Sequence, residues 1–168
     1  MAEKSVVSTK RDGVIAYQSA SGAQTYTVAK EAGDFSFDVP LETVNLFLDR
    51  GEISATPDIR KGDDQPVTFS HTAYLKDIGS PTAAHATLMD IAARFASGHV
   101  AANWTSTMGT NSDVHTVSMT YVLEGSNFGG VDQTLTFSYV VVRASMSEGD
   151  PSTVSINGTA YQLRPVLS

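Results

Sequence analysis

The chain has 168 residues, no cysteine, and 11 lysines and arginines against 18 aspartates and glutamates, for a formal charge of −7. That length suffices for one domain with its own core, and the missing thiols exclude disulfide scaffolds, thiol nucleophiles, zinc-thiolate sites and iron–sulfur clusters. The acidic balance argues against gripping nucleic acid by phosphate neutralisation, and no apolar run approaches the roughly 18 residues of a membrane-spanning helix.

Residues 1–12, with Glu3, Lys4, Lys10 and Arg11, are polar and lack the apolar stretch of a secretory signal, so they read as an N-terminal arm. A single domain is expected over 13–168. Gly13–Tyr17 and Thr25–Val28 flank a Ser/Gly-rich turn and predict a hairpin. Asp34–Val39 alternates, placing Phe35, Phe37 and Val39 on one face before Pro40 ends the strand.

Residues 41–65 differ in character. Leu41, Val44, Leu46, Phe47 and Leu48 precede a charged stretch punctuated by Gly51, Pro57 and Gly62. A connection this long within one domain is usually functional or disordered, and its apolar half needs covering. Residues 66–75 resume as a strand. Ser80 as N-cap, Pro81 at the first position, an apolar stripe of Ala84, Leu88, Ile91, Ala92 and Phe95, and Gly98 as stop predict a helix over about 81–97.

The last third predicts two long antiparallel strands. Val117, Met119, Tyr121 and Leu123 alternate with Thr116, Ser118 and Thr120; Leu135, Phe137, Tyr139 and Val141 alternate with Thr134, Thr136 and Ser138. A further hairpin is expected to turn at Asn157-Gly158, between Val154/Ile156 and Tyr161/Leu163. Serine and threonine supply about a fifth of the chain, a composition suited to strands with one wet face. The fold class is therefore mainly β (α+β): an antiparallel β sandwich or barrel with one flanking helix.

Residues capable of chemistry are present without a constellation. His71, His85, His99 and His115 have no ligand or acid–base partner at useful spacing. No G-x-S-x-G elbow occurs, Gly125…Gly129-Gly130 has neither the lysine nor the following helix of a phosphate loop, and Asp58, Asp63 and Asp64 do not have calcium-loop spacing. The expectation is no catalytic residue, no metal and no cofactor. Long strands over 115–123 and 133–142, free of proline and lysine, have edges that either pair with another copy or lie under a neighbouring strand. Trp104, between Asn103 and Thr105, supports a rival reading as a glycan-binding or adhesive β sandwich.

Three stretches resemble the tail tube (major tail) proteins of long-tailed, non-contractile bacteriophages. They are Phe47–Gly51 leading through Pro57–Val67 into Thr68–Ser70; the helix with Thr87-Leu-Met-Asp90; and the hairpin ending in Val140–Pro151, followed by Ile156-Asn-Gly-Thr159. Tubes of related architecture occur in contractile phage tails, pyocins and type VI secretion. The resemblance implies a non-enzymatic virion subunit, assembled in the host cytoplasm into stacked, hexameric rings with a negatively charged lumen that conducts DNA as passing cargo. It implies the chain itself as main partner, with tape measure, terminator and distal tail proteins beside it and no membrane. A tail terminator or capsid accessory role is an alternative within this class. Segment 41–65 would reach a neighbouring subunit or ring, through Leu46, Phe47, Leu48, Asp49, Arg50, Arg60, Lys61, Asp63 and Asp64. The lumen-barrel hairpin would present Thr116, Ser118, Thr120, Thr134, Thr136 and Ser138.

Overall fold

Period-two alternation of Val, Ile, Phe and Tyr with Ser and Thr produces a structure built on strands. The computed structural model describes residues 13–20, 22, 25–28, 34–46, 58–62, 65–74, 104–108, 114–123, 125, 130–162 and 165–168. Its strands are β1 (Gly13–Gln18), β2 (Thr25–Thr27), β3 (Ser36–Asp38), β4 (Thr43–Leu46), β5 (Asp58–Lys61), β6 (Val67–Tyr74), β7 (Val117–Leu123), β8 (Gln133–Ser147), β9 (Thr153–Ala160) and β10 (Val166–Leu167). The helix expected over 81–97, the arm over 1–12 and His85 and His99 lie outside the described residues.

One antiparallel sheet runs in the order β2-β1-β7-β8-β9-β6-β3, with β10 pairing β8, while β4 and β5 pair only with each other. This sheet curls. In a flat sheet β1 and β6 would lie four strand spacings, about 19 Å, apart, yet Tyr17 Oη of β1 is 2.7 Å from His71 Nε2 of β6. Phe35, just before β3, likewise stacks on Tyr121 of β7 with ring centroids 4.3 Å apart. The two ends therefore fold over a shared core of Ile15, Tyr17, Val67, Phe69, Met119, Phe137, Val140, Val142 and Ile156, all essentially buried. The barrel-like β architecture read from the sequence is present.

The corner is β8, whose 15 residues pair with β7, with β9 and, at Leu135 and Thr136, with β10. Its first half pairs with β7 and its second half with β9, the registers meeting at Val140. Between Val117↔Val140 and Met119↔Phe137, β8 spends one more residue than β7, a β-bulge. Tyr139 sits there with φ 53°, a left-handed conformation that costs a non-glycine residue energy. The expected alternation thus holds only to Phe137. Beyond it Val140 and Val142 turn inward, and Tyr139, expected on the apolar face, is exposed, because one inserted residue inverts every later side chain. Gln162 repairs the interrupted ladder: its Oε1 accepts from Ser138 N at 2.6 Å and its Nε2 donates to Thr136 O at 3.2 Å.

A second expectation also fails. Asn157-Gly158 makes no turn; it lies in the middle of β9, which pairs along its whole length with β6 and β8. The reversal instead occurs between Ser147 and Thr153, at Glu148-Gly-Asp-Pro-Ser152. Gly158 is required by packing. A Cβ at this position would stand 2.0 Å from Phe69 Cζ, so the glycine makes room for a core ring. Gly158→Val is expected to destabilise the fold by about 1–3 kcal/mol through overpacking. Urea unfolding of the two proteins checks this; equal midpoints and slopes would contradict the assignment.

Candidate functional site

Among the described residues no group of His, Asp and Glu is arranged to hold a metal ion. His71 is a core residue beside Tyr17, and burial pushes the Tyr17 phenol far above its ordinary value, so it stays neutral. His115 is buried ahead of β7. Trp104 is also buried, 1% exposed, so the residue that carried the adhesive reading presents no ring face for a sugar to stack on.

The surfaces that remain are sheet faces and edges. The expected β7–β8 hairpin exists, but β1 covers the far side of β7, and β9 and β10 cover that of β8. Neighbouring strands cover these edges along β7 and along β8 as far as Val140, whereas β8 from Val141 onward pairs on one side only, with β9. Ser118, Thr120, Thr134, Thr136 and Ser138 share the side opposite the core and are half-buried. Thr116 is fully buried: its hydroxyl lies 2.7 Å from Thr107 Oγ1 and 3.2 Å from Ser106 Oγ, and accepts from Met108 N. It pins the loop that carries Trp104.

A more open hydroxyl face lies on the other half of the sheet. There, β8 from Val141, β9, β6 and β3 place Ser145, Ser147, Thr153, Ser155, Asn157, Thr159, Thr68, Ser70, Thr72 and Ser36 on the side away from the core. Ser36 and Ser70 hydroxyls meet at 2.8 Å. Within the described strands of this face the charged side chains are Asp38 on β3 and Arg143 on β8, both exposed, while Asp34, just ahead of β3, accepts from Thr72 N of β6. Asp38 and Arg143 rim a shallow depression of about 460 Å³ with Asn157 between them. Sequence reasoning missed this face because the inversion at Tyr139 and the continuity of β9 through Gly158 decide which residues belong to it.

Both edges of this four-stranded unit are open among the described strands. β3 ends the sheet, and β8 beyond Val140 has left β7 behind. Apolar side chains reach solvent at each: Phe37 is 44% and Val39 38% exposed at the β3 edge, and Met146 is 54% exposed at the β8 edge.

Of the residues expected at a subunit or ring contact, Leu46 ends β4, and Arg60 and Lys61 end β5. Leu46 pairs with Asp58, Val44 with Arg60, and Thr43 with Lys61. Phe47, Leu48, Asp49, Arg50, Asp63 and Asp64 lie outside the described residues. What had the character of a long loop is thus a two-stranded ribbon at its base, closed by Gly62 N donating to Glu42 O at 2.7 Å. An isolated ribbon of two strands is marginal in water.

Comparison with solved structures gives this geometry a context. A chain of the PVC extracellular contractile injection system, in a sheath/tube terminator assembly, superposes with TM-score 0.61 at 11% identity, covering 99% of both chains. A chain of the PVC sheath-tube complex gives 0.59 at 11% identity, covering 99% of this chain and 93% of that one. One from the tube-terminating cap of the anti-feeding prophage gives 0.56 at 12% identity, covering 100% and 94%. The fold is all-β and resembles that of chains in tail tube and tube-terminator assemblies. No family model matches the sequence, and the comparison with curated proteins gives no match. Since these structures come from contractile assemblies, the likeness carries the tube-type fold and not the non-contractile class that the sequence resembles.

Burial holds the His115 imidazole below its ordinary value of 6.5. The unfolded chain therefore takes up more protons than the folded one as pH falls through that value, so this contribution to stability is complete above about pH 6.5 and is lost towards acid. His115→Gln is expected to flatten the fall in Tm between pH 7.5 and 5. An unchanged slope would show that His115 does not control it.

Proposed function

We propose that the chain is a non-enzymatic structural subunit of a tail-type injection apparatus, forming the tube or its terminator by assembling into stacked, hexameric rings. The observation that carries this reading is the four-stranded unit β8-β9-β6-β3. Its strands alternate in direction, so the two outermost run antiparallel to each other. An even-stranded antiparallel unit, open at both edges, continues its own sheet when copies join head to tail, and a rotation that closes gives a ring without edges. Full-length likeness to tube and terminator assemblies supports the same reading.

Six copies of four strands at about 4.8 Å spacing give a circumference near 115 Å and a diameter of at least ~37 Å before strand tilt. A duplex fits once side chains are subtracted, and DNA is the proposed cargo. We assign the hydroxyl face to the lumen, since the opposite face is the core. The wall is then charge-poor, with one Asp38 and one Arg143 per subunit on these strands. This replaces the negatively charged lumen expected above. Passage rests on a wall with too few cations to hold phosphates by neutralisation.

The β4–β5 ribbon is the proposed reach to a neighbouring ring or subunit, with further tail proteins meeting the tube at its ends. Its ends are adjacent, so residues 43–61 can be replaced by a short Gly/Ser turn. The expected product keeps the far-ultraviolet circular dichroism and cooperative unfolding of the native chain but forms no tubes in negative-stain images. Tubes of native length from this variant would overturn the role of the ribbon. A wild-type chain that stays monomeric at high concentration would overturn the ring-forming reading.

A further inference from the structure

The wet face of β8-β9-β6-β3 distributes its two charges unevenly. Asp38 stands on the last strand at one edge, and Arg143 on the last strand at the other. Within one copy they are three strand spacings, about 14 Å, apart at the backbone. Resting on the ring-forming reading above, we infer that Asp38 of one copy pairs with Arg143 of the next, and that this ion pair sets the register in which β3 adds to β8.

Three independent features of the two edges select this register. The pleat comes first. Ser36 and Asp38 face the wet side and Phe37 the core side of β3, while Arg143 and Ser145 face the wet side and Val142 and Ala144 the core side of β8. Any odd shift would set Phe37 opposite Arg143 and mix the faces. Among the registers that keep the faces, placing Asp38 opposite Arg143 sets Ser36 against Ser145, Phe37 against Ala144 and Val39 against Val142. Apolar groups exposed at one edge then meet apolar groups at the other, and the acid meets the base.

Closure supplies the third argument. A row followed across one copy from Asp38 passes through Thr68 and Thr159 to Val141. Joining the next Asp38 to Arg143 instead of Val141 staggers each copy by two residues. A closed barrel needs such a stagger, because its strands must tilt. The register that leaves Asp38 opposite Val141 has none, and leaves both charges unpaired. The partner is therefore a second copy of this chain, and each joint of the ring neutralises Asp38 of one copy against Arg143 of the next.

The absence of cysteine makes a direct test available. Asp38→Cys and Arg143→Cys chains, prepared separately and mixed under mild oxidation, are expected to give a disulfide-linked dimer, and neither alone should give it. The double variant should give a non-reducing ladder ending at the closed ring. Within one copy the two positions are too far apart to bridge, so every cross-link reports an intermolecular joint. In parallel, Asp38→Arg and Arg143→Asp should each lose ring assembly by sedimentation, and the two combined should regain it. Rings that form without the cross-link, or a double charge swap that fails to recover what each single swap loses, overturn the contact and leave the ring reading standing. Circular dichroism matching the wild type in the swapped chain confirms that the loss belongs to the joint and not to folding.

Discussion

Everything on the second half of the sheet depends on the one extra residue that β8 takes at Tyr139. Phe137 and Val140 are both buried although they are three apart, which a regular strand cannot arrange. Without the bulge, the residues packed against β7 and those packed against β9 could not both point inward. Val140 and Val142 would face water, and Arg143 would be driven into the core at a cost that a buried unpaired charge makes prohibitive. The left-handed backbone at Tyr139 and the interrupted ladder are the local cost, offset by the Gln162 amide bridging Ser138 N and Thr136 O. In return one strand serves both halves of the sheet and lets β1 and β6 meet across the core.

The same device explains how much was legible in the sequence. Strands β1, β2, β6 and β7 and the first half of β8 follow from alternation alone, since each keeps one register throughout. The second half of β8 does not, because nothing local to Ser138-Tyr139 distinguishes an inserted residue from a continuing strand. Asn157-Gly158 misled for a related reason: the dipeptide suits a tight turn, and only the Phe69 ring packed against it reveals that glycine is there for space. Hydroxyls at 118–138 were singled out by their alternation, whereas the open hydroxyl face comprises residues whose placement requires knowing the bulge and the uninterrupted β9. The ribbon base at 43–46 and 58–61 stood out in the sequence as a segment of distinct composition but not as paired strands.

The chain's composition acquires a physical logic in this light. If copies join as proposed, a chain without thiols must be held to its neighbours by edge pairing and burial, and the two open edges of β3 and β8 are complementary in direction, polarity and charge. The net charge of −7 is not carried by the wet face of β3, β6, β8 and β9, where one acid and one base stand at opposite ends. On the ring-forming reading proposed above, a face of hydroxyls would leave little fixed charge along the conduit.

The most direct measurement is a cryo-electron microscopy reconstruction of the assembled rings, at a resolution that separates strands. The account predicts a continuous antiparallel barrel of four strands per subunit, with β3 of each copy beside β8 of the next and Ser145, Ser155 and Thr72 lining the lumen. A ring with that face turned outward, or one in which β3 and β8 of neighbouring copies do not meet, would contradict it.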